Sequence, residues 1–401
     1  SYDKESGELV LHNYMDFDNL KDYVKISYEL TQDGLLIGKG KLAEVSVVPH
    51  SEGKTNLQVN VPENGKCYLK LTYHLKKEMP LLEEDYILGF DEIEVSQKDA
   101  KCQLAEKWVE KTVTDSELQV SEDDTKIHIK GREFAYTIDR RTALFTEMKF
   151  AGREYLNHPM ELNIWRAPTD NDMYIKSEWK KAHYDKAYTR AYTTEVVQGK
   201  HGVKITSHAS VVAETVQKIL DVTITWKIEA AGKIDADIAV TKDDEFPDLP
   251  RFGVRMFLDK KLSAVRYFGM GPQESYCDKH QAASHGLYRA DVGDLHEDYI
   301  RPQENGSHYD CEYVELNNSR YGIVASAEKA FSFNASYYTQ EELEKKTHNY
   351  ELTESDSVVF CVDYALNGIG SNSCGPVVLE QYRFDDVLFR FQFTLIPYVK
   401  G

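Results

Sequence analysis

Hydrophobic and polar residues alternate along much of this 401-residue chain. The alternation is clearest in four segments: KCYLKLTYHLK at 66–76, ILDVTITWKIEA at 219–230, KIDADIAV at 233–240 and VLFRFQFTLIPY at 387–398. A period of two residues predicts β-strands with one buried and one polar face. The turn at Ala231-Gly232 joins the second and third segments, which therefore predict a β-hairpin. A strand with one solvent-exposed face is typical of antiparallel sheets, whereas a parallel sheet is usually covered by helices on both faces.

Helical patterns are few. Residues 176–188 and 340–347 each predict a short surface helix, but such patterns do not recur between the strands. A TIM barrel or a Rossmann domain requires strands and helices in regular alternation. The pattern therefore predicts an all-β protein.

The alternation is interrupted between about residues 95 and 115, where the sequence becomes charged. The chain is too long for one ordinary hydrophobic core. We therefore predict an immunoglobulin-like β-sandwich at 1–104, a linker at 105–115 and one large antiparallel β domain at 116–401. The turn Gln32-Asp33-Gly34 is typical of the short hairpins of such a sandwich.

Composition narrows the classes of function. The net charge of −19 argues against nucleic acid as a partner, because binding to a polyanion needs clustered Lys and Arg. No apolar run approaches the length of a membrane span, and the first residues do not resemble a secretory signal. Six scattered cysteines without a C-x-x-C motif indicate reduced thiols and no zinc site. These features predict a cytoplasmic protein.

Four polar motifs follow one another in the second half of the chain: WRAPTDND at 165–172, YFGMGPQESYCDK at 267–279, RPQENGSHYD at 301–310 and NGIGSNSCGP at 367–376. The first is led in by apolar Leu162 and Ile164, as a buried strand would be. Loops this dense in carboxylate, amide and guanidinium groups hold either their own backbone or a polar ligand.

In order and spacing, these motifs resemble the C-terminal region of the lac-type β-galactosidases of glycoside hydrolase family 2. The strands that begin at YVKISYELTQDGLLIGKGKL resemble the immunoglobulin-like domain of the same enzymes. The resemblance implies that this sandwich is followed by a β-supersandwich of the galactose mutarotase-like type.

The resemblance also implies that the catalytic carboxylates lie in another part of the enzyme. A retaining glycosidase uses two carboxylates about 5–5.5 Å apart. In the family they lie on a barrel of roughly 250 residues, for which this chain has neither the pattern nor the room. We therefore expect the C-terminal part of a β-galactosidase, either a fragment or a separate subunit, that is inactive without its barrel partner and contains no catalytic residue. We expect no cofactor or metal in this chain, cations only in the barrel, a galactoside as substrate and an oligomeric assembly.

Seven residues are expected to line the galactoside pocket: Arg166, Asp170, Asn171, Asp172, Asn372, Ser373 and Cys374. Asp and Asn also cap their own backbone in tight turns, and Arg166 has Asp170 and Asp172 as possible partners. Five more polar residues are expected to brace the loops: Gln273, Glu274, Arg301, Glu304 and Asn305. Of these, Arg301 and Glu304 are expected to form an ion pair.

The resemblance implies that Cys374 lies at the position where well-known family members carry an aromatic residue that stacks on the sugar. A thiol offers no such surface. Either a nearby aromatic residue replaces it, or the ligand is held mainly by polar groups such as Asn372 and Ser373.

Two other functions are compatible with the sequence. An aldose epimerase needs a general base and a general acid, commonly Glu and His, and His280, His285, His296 and His308 are available. A carbohydrate-binding module would use some of the 26 Tyr and four Trp, although most aromatic residues of a β protein pack in the core. The group of His and acidic residues at 296–310 matches no metal-binding spacing.

Overall fold

The structure, a computed structural model, describes residues 1–97 and 118–400. Contacts among residues divide the chain into two compact units, Ser1–Cys102 with His285–Leu287, and Gln103–Ser284 with Tyr288–Gly401. The predicted linker at 105–115, and the boundary at 104, lie outside the described residues.

The first unit is an immunoglobulin-like β-sandwich. Its elements are β1 (Glu8–Asn13), α1 (Leu20–Tyr23), β2 (Val24–Gln32), β3 (Leu35–Lys41), β4 (Ser51–Asn56), β5 (Cys67–Leu75) and β6 (Ile87–Ser96). Strands β1 and β4 form one sheet, and β3-β2-β5-β6 form the other. The predicted turn is confirmed, because Asp33 and Gly34 join β2 to β3 with φ of 47° and 77°, in the left-handed region that Asp and Gly tolerate best.

The second unit contains most of the strands. They are β7 (Gln119–Glu122), β8 (Lys126–Lys130), β9 (Phe134–Asp139), β10 (Leu144–Phe150), β11 (Arg153–Glu154), β12 (Leu156–Asn163), β13 (Tyr188–Gln198), β14 (Gly202–Val212), β15 (Leu220–Glu229), β16 (Ile234–Lys242), β17 (Arg251–Asp259), β18 (Ala264–Gly271), β19 (Ser284–Asp291), β20 (Ser307–Asn317), β21 (Tyr321–Ser336), β22 (Ser357–Leu366) and β23 (Leu388–Val399). Two short helices, α2 (Ile175–Lys181) and α3 (Gln340–Lys345), lie where helices were predicted.

These strands form two sheets. One has five strands in the order β11-β10-β9-β8-β7. The other has twelve, with the main path β12-β17-β22-β21-β23-β16-β15-β14-β13, and β18 pairs with both β19 and β20 beside it. The predicted hairpin is β15–β16, and β16 also pairs antiparallel with β23. The prediction of an all-β chain with a sandwich followed by a large antiparallel supersandwich is confirmed.

The core of the second unit lies under the apolar faces of these strands. Trp226 of β15 is fully buried, and its ring contacts Phe145 and Phe393 edge-on, with centroids 4.9 Å and 6.4 Å away. Its indole N–H donates to the carbonyl of Ala143 at 2.8 Å, so its one polar atom is satisfied. The opposite faces of β16 and β23 are polar at Asp235, Asp237, Arg390, Gln392 and Thr394, which leaves this part available for a site.

Candidate functional site

The loop that follows β12 is held by a buried arginine. The Arg166 side chain is fully buried, and its Nη2 and Nε donate to the Asp172 carboxylate at 2.7 Å and 3.2 Å. Its remaining N–H groups donate to the carbonyls of Asn367 and Gly368. The first polar loop is thereby fixed to the fourth. The expected pairing of Arg166 with an aspartate of its own loop is confirmed.

Asp172 also stabilises the turn in which it lies. Residues Asp170–Asp172 form one turn of 3₁₀ helix, and the Asp172 carboxylate accepts the backbone N–H of Thr169 at 2.9 Å. Asp172 is only 2% exposed. Arg166 and Asp172 are therefore buried braces, and the expectation that they line a pocket is corrected, because neither offers surface to a ligand.

Asn171 and Asp278 link three of the four polar motifs. The Asn171 amide donates to the carbonyl of Gly370 at 2.6 Å, and its oxygen accepts the Ser373 hydroxyl at 2.8 Å. The Asp278 carboxylate accepts the backbone N–H groups of Ile369 and Gly370 at 2.9 Å and 2.7 Å. The fourth motif is thus bound from two sides.

The third motif joins the first through Asp170. Its backbone N–H donates to Oε1 of Gln303 at 3.0 Å, and Nη1 of Arg301 lies 4.0 Å from its carboxylate. The side chains of Asp170 and Arg301 are both more than half exposed. This contact is not a rigid brace, since exposed ion pairs contribute little to stability.

Glu304 lies in a buried cluster of charges. Its carboxylate is 3.4 Å from Nη1 of Arg251, which also makes a two-pronged ion pair with Asp363. Burial raises the pKa of the Glu304 carboxyl, although Arg251 and Arg166 act in the opposite direction. The expected ion pair between Arg301 and Glu304 is wrong, because Arg301 lies at the surface whereas the carboxylate of Glu304 is fully buried.

Glu274 acts as the expected brace. Its carboxylate accepts the Tyr299 hydroxyl at 2.6 Å and the backbone N–H of Gly306 at 2.8 Å, and it also pairs with the Lys279 ammonium. Asn305 is a brace as well, since it accepts the N–H of Glu297 and donates to the carbonyl of Gln303. Gln273, in contrast, is exposed.

The accessible part of the cluster is small and polar. Ser373 and Cys374 are exposed, and Asn372 is half-buried. With Asp170 and the half-buried Asn171 they form what we call the polar rim, defined by Asp170, Asn171, Asn372, Ser373 and Cys374. The sequence analysis did not single out Asp278, Gln303 or Tyr174. The side chain of Tyr174, two residues after Asp172, is 61% exposed. Asp278 and Gln303 lie inside the quoted motifs, so the signal was present.

The histidines of this region do not form a metal site. His308 is buried between Tyr267 and Phe333, with ring centroids 4.5 Å and 5.0 Å away, and burial lowers its pKa to about 4. Burial also lowers the pKa of His296. Within the part of the chain that the structure describes, no three His, Cys, Asp or Glu side chains come together as metal ligands. None of the described helices has the length and apolarity to cross a membrane.

Known proteins resemble nearly the whole of this chain. Residues 130–395 match the family model for the β-galactosidase small chain, and residues 9–96 match the model for β-galactosidase domain 4. A β-galactosidase of Actinobacillus pleuropneumoniae is 42% identical over 97% of the chain, and one of Staphylococcus xylosus is 30% identical over 98%.

The chain spans 38% and 39% of the lengths of those two relatives. A galactose 1-epimerase structure from Lactobacillus acidophilus aligns with 72% of this chain and all of its own, at 8% identity and a TM-score of 0.39. Because the small-chain model matches residues 130–395, a range that includes all four polar motifs, the chain belongs to the β-galactosidase small-chain family.

Proposed function

We propose that this chain forms one wall of the galactoside pocket of a cytoplasmic, oligomeric β-galactosidase that cleaves terminal β-D-galactosides such as lactose with retention. Its sandwich at 1–104 and supersandwich at 116–401 support a barrel that carries the catalytic acids. The observation that carries this proposal is the rigid joining of four distant loops, which leaves one short polar rim exposed. A ligand bound at such a rim meets groups that are already ordered, which reduces the entropic cost of binding.

Three carboxylates of the four motifs support a structural role for this chain. Asp172 and Glu274 are bonded to internal partners, and Glu304 is buried beside Arg251. A retaining mechanism needs one carboxylate free to attack and a second to transfer a proton at about 5–5.5 Å. We infer that the chain alone does not hydrolyse a glycoside.

One residue is a candidate for the aromatic stacking surface that Cys374 does not provide. Tyr174 is exposed and follows the loop that contains Asp170 and Asn171. A tyrosine ring can stack on the apolar face of a galactose ring as an indole does. We infer that Tyr174 contributes apolar contact beside the polar rim.

The test is complementation. The chain and the remainder of the enzyme are purified separately, and hydrolysis of nitrophenyl β-galactoside is followed for each alone and for the mixture. We expect turnover only in the mixture. Robust hydrolysis by this chain alone, abolished by replacing one of its own acidic residues, would contradict the proposal. So would a remainder that is fully active with an unchanged KM.

A further inference from the structure

A cleft of about 710 Å³ lies in the second unit, apart from the polar rim. Its floor is the polar face of β16 and β23, with Asp235, Asp237, Arg390, Gln392 and Thr394. None of the five residues of the polar rim lines it. A volume of this size suits a mono- or disaccharide, since small-molecule sites in proteins span roughly 300–1,000 Å³.

The floor is held in place by its own hydrogen bonds. Nε of Arg390 donates to Asp237 at 2.6 Å, and a second N–H of the guanidinium completes the pair. The hydroxyl of Thr394 donates to Asp235 at 2.7 Å. The hydrogen bond from Arg390 lowers the pKa of Asp237, which keeps this carboxylate ionised and able to accept hydrogen bonds. Side chains ordered in this way can meet ligand hydroxyl groups without further loss of rotamer freedom.

The charges of the cleft select a neutral ligand. Five carboxylates and four cationic side chains line it, so the two signs nearly cancel. Arg390, on the floor, is already paired with Asp237 and is not available to form a bidentate ion pair with a phosphate or carboxylate group. An anionic ligand would therefore meet as much repulsion as attraction.

The walls are aromatic. Tyr309, Tyr364 and Tyr382 line the cleft and are partly exposed. Tyr364 stacks on Phe389, with ring centroids 4.8 Å apart and planes at 16°, so its ring is supported from behind. Polar floors with aromatic walls suit sugars, because a pyranose ring has hydroxyl edges and an apolar face.

The bulged strand that contributes to the wall carries backbone strain. Asp310 of β20 lines the cleft with φ of 51°, and the register of β20 against β21 shifts between His308 and Cys311. Bulges of this kind redirect side chains and are frequent beside functional sites. This observation is independent of the charges and rings of the cleft.

We propose that this cleft binds a neutral mono- or disaccharide without transforming it. Epimerisation requires a general base and a general acid on opposite sides of the ring. Among the described residues that line the cleft there is no histidine. Burial raises the pKa of Tyr364, which makes its hydroxyl a weak acid. The proposal does not depend on the proposed role in galactoside hydrolysis.

The test uses the chain as it is, titrated calorimetrically with galactose, lactose and galacturonate. We expect saturable binding of at least one neutral sugar, and weaker or no binding of the anion. Tyr382→Ala should weaken binding about fivefold through loss of ring contact, whereas Tyr382→Phe should retain it. Gln392→Ala, on the exposed floor, provides a second variant if the first does not fold.

The matched control is Lys218→Ala, in the exposed segment before β15, which lines neither the cleft nor the polar rim and should leave sugar affinity unchanged. The proposal is overturned by absence of saturable binding of both neutral sugars, by tighter binding of galacturonate, or by loss of binding in Asn171→Ala, in the polar rim, but not in the cleft variants. Conversion of fresh α-galactose by the chain, followed by optical rotation, would also overturn it. The Tyr382→Ala variant is also mixed with the remainder of the enzyme and assayed for hydrolysis of nitrophenyl β-galactoside. The proposed function predicts that this mixture is active, so a failure of sugar binding in the cleft can be distinguished from a failure of the proposed function.

Discussion

At the scale of single residues, the most informative feature is a set of buried charges. Arg166 with Asp172, and Arg251 with Asp363 and Glu304, lie in the interior of the second unit. Removing ions from water is costly, and only close pairing with further hydrogen bonds offsets that cost. Each arginine here joins segments that are distant in sequence. These pairs consequently fix loop geometry more than they add to stability.

Replacing Arg166 should therefore destabilise the second unit. In Arg166→Ala, Asp172 remains buried without its partner, and we expect a loss of about 3–5 kcal/mol in the free energy of unfolding. Arg301→Ala is the control, because that side chain is exposed, and should change stability by less than about 0.5 kcal/mol. Urea unfolding followed by tryptophan fluorescence measures both. Equal effects of the two substitutions would contradict the assigned brace.

His308 should make the second unit sensitive to acid. Burial lowers the pKa of its imidazole from 6.5 to about 4, so the folded state binds fewer protons than the unfolded state between these values. The stabilising contribution is complete above pH 6.5 and is lost as the pH falls through about 4. It amounts to about 3–4 kcal/mol.

In His308→Gln this contribution should be absent, and the free energy of unfolding should fall less steeply between pH 6.5 and 4.5. His128→Gln is the control, because the His128 side chain is 45% exposed on β8. Urea unfolding at a series of pH values gives both slopes. An unchanged slope in His308→Gln would show that other groups cause the acid sensitivity.

At the scale of elements, close approach between strands decides where glycine is required. Gly269 and Gly271 both belong to β18. A Cβ on Gly269 would lie 2.2 Å from Sγ and 2.8 Å from Cα of Cys311 in β20, and one on Gly271 would lie 2.1 Å from Oη of Tyr267. Contact with the backbone of a neighbouring strand cannot be relieved by a rotamer change alone. Gly269 therefore allows the close packing of β18 against β20.

Gly269→Ala should consequently destabilise the second unit by about 1–3 kcal/mol, as overpacking of a core does. Gly293→Ala is a matched control in the same unit, since its Cβ would meet only ordinary contacts at 3.7 Å or more. Thermal unfolding of the two variants measures the difference. A Gly269→Ala variant as stable as Gly293→Ala would show that β18 and β20 can separate at low cost.

At the scale of the whole molecule, the chain spans 38% of the length of the Actinobacillus relative, and we propose that its role is to complete the pocket of a larger enzyme. The second unit has a polar rim and a separate cleft, which are formed by different residues. The rim is ordered by Asn171, which connects the first and fourth motifs. Any effect of the rim on catalysis should therefore act on substrate affinity.

In the reassembled enzyme, Asn171→Ala should raise the KM for nitrophenyl galactoside about fivefold, which corresponds to one lost hydrogen bond, and leave kcat nearly unchanged. Lys218→Ala, in an exposed turn before β15, should affect neither constant. Steady-state kinetics of the two mixtures tests this expectation. A fall in kcat at constant KM would place Asn171 nearer to the reacting bond than we propose.

The sequence alone determined the class of fold, because a period of two residues and the scarcity of helical patterns are local properties of the chain. The β15–β16 hairpin, the helices α2 and α3, the Asp33-Gly34 turn and the order of the four motifs could all be predicted in this way. Which charges pair could not, since it depends on contacts between residues such as Arg251 and Asp363, 112 positions apart. Only the tertiary structure buried Arg166 and Asp172, exposed Arg301, and formed a cleft from the polar faces of β16 and β23, because burial results from the packing of all the strands together.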